Sequence, residues 1–161
     1  MRAMAAPDAA SRATARDGRP LSKVLGEMAP SLDPRATLAL KYYLRTARNA
    51  LEQARVYRAE GDAPKQLYVL LLRAVSLVVE TIPAHAKFGA KENAALLQTE
   101  YKRLRAQAVQ VMAEIEALRP KIDAIGENEL KARRERERRG AEARAKEESA
   151  RRAAAESERR E

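Results

Sequence analysis

The chain has 161 residues, room for one small domain, and its 32 Lys and Arg outweigh 23 Asp and Glu to leave a formal net charge of +9. It holds no cysteine, no tryptophan and one histidine, which excludes disulfides, iron–sulfur clusters and thiolate zinc sites and leaves no set of imidazoles for a catalytic metal. With 34% charged residues, 4% aromatics and six glycines, the composition favours helices over a sheet. An all-α protein without cofactor or metal is expected.

No run of uncharged apolar residues is long enough to span a bilayer; the longest, Leu67 to Leu72, stops at Arg73. Residues 1–20 carry Arg2, Arg12, Arg16 and Arg19 among Ala and Ser, faintly like an organellar transit peptide, but Asp8 and Asp17 intrude and large aliphatic residues are missing. Such a stretch buries too little to offset its ordering entropy, so a disordered arm is expected over 1–20.

Leu21, Val24, Leu25 and Met28 lie at helical spacing between Pro20 and Pro30, predicting a short helix with one apolar edge. Asp33 as cap and Pro34 in the first turn predict a second helix from Pro34 to about Glu60, ended by Gly61. Its apolar stripe is Tyr43, Ala47, Ala50, Ala54 and Tyr57, widened by Leu40, Leu44 and Leu51. Asp62 as cap and Pro64 in the next first turn make Gly61-Asp62 the tight link of an αα-hairpin. The partner helix, from about Ala63 to Thr81, is apolar nearly all round and must be covered on several sides.

Pro83 stops that helix, and a loop follows to about Lys91. Leu97, Tyr101, Leu104, Ala108, Val111, Ile115, Leu118, Ile122 and Ile125 then alternate steps of four and three, a heptad seam whose later half, in a straight helix, is expected to project past the hairpin and pair with another chain, as in a homodimer or coiled-coil scaffold, or with a bound helix. Pro120 predicts a kink near Leu118. Beyond Gly126 the character changes: residues 127–161 hold 12 basic and 10 acidic side chains, and Leu130 is the lone large aliphatic. Acid-first pairs four apart, such as Glu142/Lys146 and Glu148/Arg152, support an exposed, fraying helix or linker. The expected division is a disordered arm over 1–20, a helical bundle over 21–125 and a charged extension over 126–161.

Several ordered runs are similar to the N-terminal domain of the AMSH family of ubiquitin-chain hydrolases, plant type, and more loosely to the dimerisation domain of a related ubiquitin-specific protease. They are Tyr42-Tyr43-Leu44-Arg45, Gln53-Ala54-Arg55-Val56-Tyr57-Arg58, Glu60-Gly61, Leu67 to Arg73, Ser76 to His85 and an echo in Glu114 to Pro120. The resemblance covers about 33–125. It departs after His85, where the family continues Arg-Asp-Tyr and this chain reads Ala86-Lys87-Phe88. The family's zinc-dependent protease domain has no counterpart in the chain. The resemblance therefore implies a non-catalytic, MIT-like three-to-four-helix bundle that takes up C-terminal helices of ESCRT-III subunits. It also implies a cytoplasmic setting with peripheral attachment to endosomes through partners. The chain is then a stand-alone adaptor or the front of a longer hydrolase.

Lys41, Arg45, Arg48 and Arg55 fall four, three and seven apart and predict a basic stripe able to receive an acidic amphipathic helix. An ordinary solvated face explains the same spacing. His85 has no nucleophile or acid beside it in sequence and is read as a loop-fixing residue, with Pro83 and Gly61 as helix terminators. Tyr43, Tyr57, Tyr68 and Tyr101 are read as core residues with hydroxyls at the rim. The arginines at 133, 134, 136, 138 and 139 suggest nucleic acid, but Glu135 and Glu137 interleave them and no aromatic stands among them, so no specific nucleic-acid partner is expected.

Overall fold

The computed structural model describes residues 7–16, 18–29 and 38–160. Helix α1 spans Pro7–Arg12, α2 Leu21–Glu27, α3 Leu40–Glu60, α4 Pro64–Ser76, α5 Ala94–Leu96 and α6 Lys102–Arg160. Single π-helical turns extend α4 over Leu77–Thr81 and lead into α6 over Leu97–Tyr101. Apart from one isolated bridge between Arg16 and Arg19, the described residues are helices, turns and loops, an all-α fold.

Helix α4 is the centre because its sequence leaves it almost no polar face. Leu67, Tyr68, Val69, Leu70, Leu71 and Ala74 are all buried, and α1, α2, α3 and α6 each pack on it. Helix α3 lies against it through Leu40, Tyr43, Leu44, Ala47, Ala50 and Ala54, the alanines letting the two backbones come close. Gly61 ends α3 in the left-handed region at φ 75°, a conformation that a Cβ would strain. Pro64 starts α4 as the spacing predicts, but the cap position is Ala63 and no side chain caps it. Asp62 stands one residue too early for the role expected of it.

Asp33 and Pro34 lie outside the described residues. Leu38 is not helical and Ala39 is extended (ψ 147°), so α3 starts at Leu40 rather than at Pro34.

The heptad seam forms as spaced. Leu104, Ala108, Val111, Ile115 and Ile122 are buried, with Leu118 and Ile125 partly so, and α6 passes through Pro120 without ending. What covers its later half corrects two expectations. The segment expected to be a disordered arm contributes α1 and, at Ala10 and Ala15, two buried residues; Leu21 and Leu25 of α2 are completely buried beside them. The seam is thus closed by the chain itself and is not left for a second copy. Residues 1–6 of the arm lie outside the described residues.

Polar contacts pin this segment at three points. The Asp123 carboxylate of α6 accepts the Ser22 backbone N–H at 2.8 Å and its hydroxyl at 3.1 Å, while Arg73 of α4 donates to the Met28 carbonyl at 2.7 Å, so each end of α2 is capped from another helix. Lys65 is buried and donates to the carbonyls of Ala13 at 2.9 Å and Ser11 at 3.5 Å and to Glu129 at 2.7 Å. Gly126 lies inside α6, not at a boundary: a Cβ there would sit 2.6 Å from Leu21 Cβ and 3.0 Å from Ala15 Cβ. Helix, core contacts and chain therefore run continuously across the expected border at 125/126.

At the other end of the bundle, Tyr43, Leu44, Leu77, Val78, Ile82 and Leu104 form a second core cluster, and Leu51 touches both. The His85 ring closes this end. Its Nδ1 accepts the Lys87 N–H at 3.1 Å, which puts the ring proton on Nε2, from where it reaches the Leu38 carbonyl at 2.9 Å. Tyr43 packs edge-on against the ring, 5.5 Å between centroids. The loop therefore ties the entry to α3 to the exit from α4. Phe88 packs edge-on to Tyr101, whose hydroxyl donates to the Val78 carbonyl at 3.2 Å. Tyr57 is partly buried against the first cluster.

From residue 134 onward most of α6 is exposed, and its support comes from its own pairs. Arg138 and Arg139 both donate to Glu135, and Arg152 and Arg160 reach back to Glu148 and Glu156. Hydrogen bonds from Arg138 and Arg139 hold the Glu135 carboxyl below its ordinary 4.5. A depressed folded-state pKa favours the helix above the unfolded value and loses that support as pH falls through the folded value. Backbone amide exchange around Glu135 is therefore expected to quicken over the window in which pH falls through and below the ordinary carboxylate value of 4.5, after correction for intrinsic rates, and more so in low salt. Unchanged protection across that window would remove these pairs as supports.

Candidate functional site

Helices α3 and α6 both lie on α4, and a groove of about 740 Å³ is lined by residues of both. Leu51, Leu104 and Val111 form its apolar floor. Its α3 wall carries Arg48, Glu52, Arg55 and Arg58; its other side carries Glu100 from the π-helical turn and Arg103, Gln107, Gln110 and Glu114 from α6. The register follows from the folding order: α3 and α6 each run opposite to α4, so they run parallel to one another.

Two ion pairs bridge the groove. Arg48 meets Glu100 at 3.0 Å, and Arg58 grips Glu114 with two hydrogen bonds of 2.9 and 2.7 Å. The pairs stand ten residues apart on α3, which leaves roughly 15 Å of groove between them, close to three helical turns. Between them Arg55 pairs with Glu52 on its own helix at 2.6 Å and holds that carboxyl below its ordinary range. Arg58 is in turn held more firmly protonated by Glu114. Exposed pairs of this kind are worth about 0.2–1 kcal/mol each, so a carboxylate on an incoming helix can exchange for Glu100 or Glu114 at small cost.

The structure divides the basic stripe. Arg48 and Arg55 line the groove. Lys41 and Arg45 are exposed on α3 but do not line it, and the Arg45 guanidinium instead lies over the Tyr42 ring, 5.9 Å from its centroid. Sequence reasoning missed Arg58 and Arg103. Arg58 continues the stripe three residues past Arg55, a spacing visible in the sequence, whereas Arg103 joins it only through the packing of α6. Gly61, Tyr43, Tyr57, Tyr68, Pro83 and His85 stand outside this lining. No described helix is long and apolar enough to cross a membrane, and the described residues hold no group of three or more His, Asp or Glu placed for a metal.

A family model described as the USP8 dimerisation domain matches residues 21–125, from the start of α2 into α6. The chain belongs to that family. It is also similar to AMSH-like ubiquitin thioesterase 1 of Arabidopsis thaliana, 39% identical over 85 residues that make up 53% of this chain and 16% of that protein. AMSH-like ubiquitin thioesterase 3 of the same plant is 37% identical over 101 residues, 63% of this chain and 19% of that protein. The chain thus spans less than a fifth of the length of either relative. No solved structure matches. Together the matches support residues 21–125 as an AMSH-family N-terminal domain.

Proposed function

We propose that this chain is a non-catalytic interaction module that receives the amphipathic C-terminal helices of ESCRT-III subunits in the groove between α3 and α6. It would serve ubiquitin-dependent sorting in the cytoplasm, at endosomal surfaces reached through its partners. The observation that supports this reading is the groove itself: an apolar floor of Leu51, Leu104 and Val111 beneath four arginines and three glutamates, suited to a helix with aliphatic anchors and a modest excess of acid. Arg48→Glu combined with Arg103→Glu is expected to weaken an ESCRT-III tail peptide at least tenfold by calorimetry, about 1.4 kcal/mol, whereas Arg45→Glu leaves affinity within about twofold. The opposite ranking would move the site to the outer face of α3.

A second reading comes from the family's description as a dimerisation domain. The later half of the heptad seam is already filled, so a homodimer contact is proposed instead at Val109 and Met112, two exposed apolar residues one turn apart on α6. Light scattering over a concentration range is expected to show self-association that Met112→Glu abolishes; a monomer at every concentration rejects the second reading and leaves the first intact.

A further inference from the structure

Ser22 occupies an unusual position for a hydroxyl. It lies in the first turn of the seven-residue helix α2, and its N–H and Oγ both donate to one carboxylate, Asp123, 101 residues away on α6. Nothing in the groove reading uses this contact. It joins the N-terminal segment to the half of the seam that the segment covers, where Leu21 and Leu25 are fully buried and Gly126 leaves room for Leu21. Around Ser22 the sequence reads Arg16, then Arg19-Pro20-Leu21-Ser22, with arginines six and three residues ahead of the hydroxyl.

We infer that Ser22 is a phosphoacceptor for a basophilic protein kinase, and that its modification releases α1 and α2 from α4 and α6. The kinase transfers the γ-phosphoryl group of ATP: a bond forms between Ser22 Oγ and the phosphorus, the bridging bond to the β-phosphate breaks, ADP leaves and the hydroxyl proton passes to the kinase's base. The product places a dianion where a hydroxyl lies 3.1 Å from a carboxylate oxygen of Asp123. Donor becomes acceptor, so the hydrogen bond is replaced by repulsion between like charges at close range.

Three cations that touch this segment are already committed elsewhere. Arg19 is paired with Glu27, Lys65 is committed to Glu129 and to the carbonyls of Ser11 and Ala13, and Arg73 is committed to Met28. A phosphate near the start of a helix is favourable for that helix alone, but α2 is too short to stand by itself and depends on its docking. Ser22 is 8% exposed, so the kinase acts on a transiently opened segment, and the phosphate then prevents it from reseating. Ser76 also has an arginine, Arg73, three residues ahead, but it lies inside the central helix α4 and donates to Glu80, so it serves as an internal comparison.

The experiment treats the full 161-residue chain with ATP and a kinase of the Arg-x-x-Ser class, locates the phosphate by mass spectrometry and follows amide exchange. Phosphate on Ser22 is expected, with exchange over residues 9–28 accelerated about tenfold or more while α3 and α4 stay protected. Ser22→Glu should reproduce the release, Ser22→Ala should not, and adding Asp123→Lys to Ser22→Glu should restore protection by turning repulsion into attraction. Phosphate placed on Ser76 but not Ser22, unchanged exchange in the Ser22 phosphoform, or failure of the charge-swapped pair to restore protection would each overturn the inference.

Discussion

Gly126→Ala is expected to destabilise the protein by about 1–2 kcal/mol, against the direction that helix propensity gives. Glycine inside a helix costs roughly 0.5–1 kcal/mol relative to alanine, so on propensity alone the change stabilises. Contact reverses the sign. The new Cβ meets Leu21 Cβ at 2.6 Å and Ala15 Cβ at 3.0 Å, and both belong to a packed segment whose retreat uncovers Leu21 and Leu25. Overpacking of this kind costs about 1–3 kcal/mol, which exceeds the gain. Gly140 in the same helix supplies the control, because a Cβ there meets nothing within 4 Å and Gly140→Ala should steady the helix locally. Urea unfolding with an unchanged m-value measures the first, and amide exchange around residue 140 the second. A Gly126→Ala protein more stable than the parent would show that α2 does not sit against α6.

Leu71→Ala is expected to cost about 2–5 kcal/mol, a large part of the roughly 5–15 kcal/mol that holds a domain together. Leu71 is completely buried in the middle of α4, the helix on which four others pack. Val79, further along the same element and half exposed, should change stability by under about 0.5 kcal/mol when truncated. The contrast separates loss of the central support from a general effect of shortening an aliphatic chain. Equal effects at the two sites, read from denaturant midpoints, would contradict a bundle centred on α4.

The central hairpin was legible because its signals are local. Gly61 and Pro64 punctuate it, the Tyr43–Ala54 stripe repeats at helical spacing, and α4 is apolar nearly all round. The seam on α6 was legible for the same reason. Its covering was not: Ala10 and Ala15 carry no periodic signal, and their segment docks where Gly126, Asp123 and Lys65, more than forty residues away in the chain, make a place for it. The groove was half legible. A stripe of arginines on α3 is visible from spacing, but which of them face a partner depends on Glu100 and Glu114, whose positions are set by how α6 lies on α4. Arg45 and Arg48 look equivalent in the sequence, and the fold points one over Tyr42 and the other into the groove.

A titration of the isotope-labelled chain with a panel of ESCRT-III C-terminal peptides, followed residue by residue by NMR, bears most directly on the groove. Saturable shifts are expected at Arg48, Leu51, Arg55, Arg103, Leu104 and Gln107, with Lys41, Arg45 and the helix beyond residue 134 unmoved. Absence of saturation with every peptide, or shifts gathered on the outer face of α3 instead, would contradict a helix-receiving groove between α3 and α6.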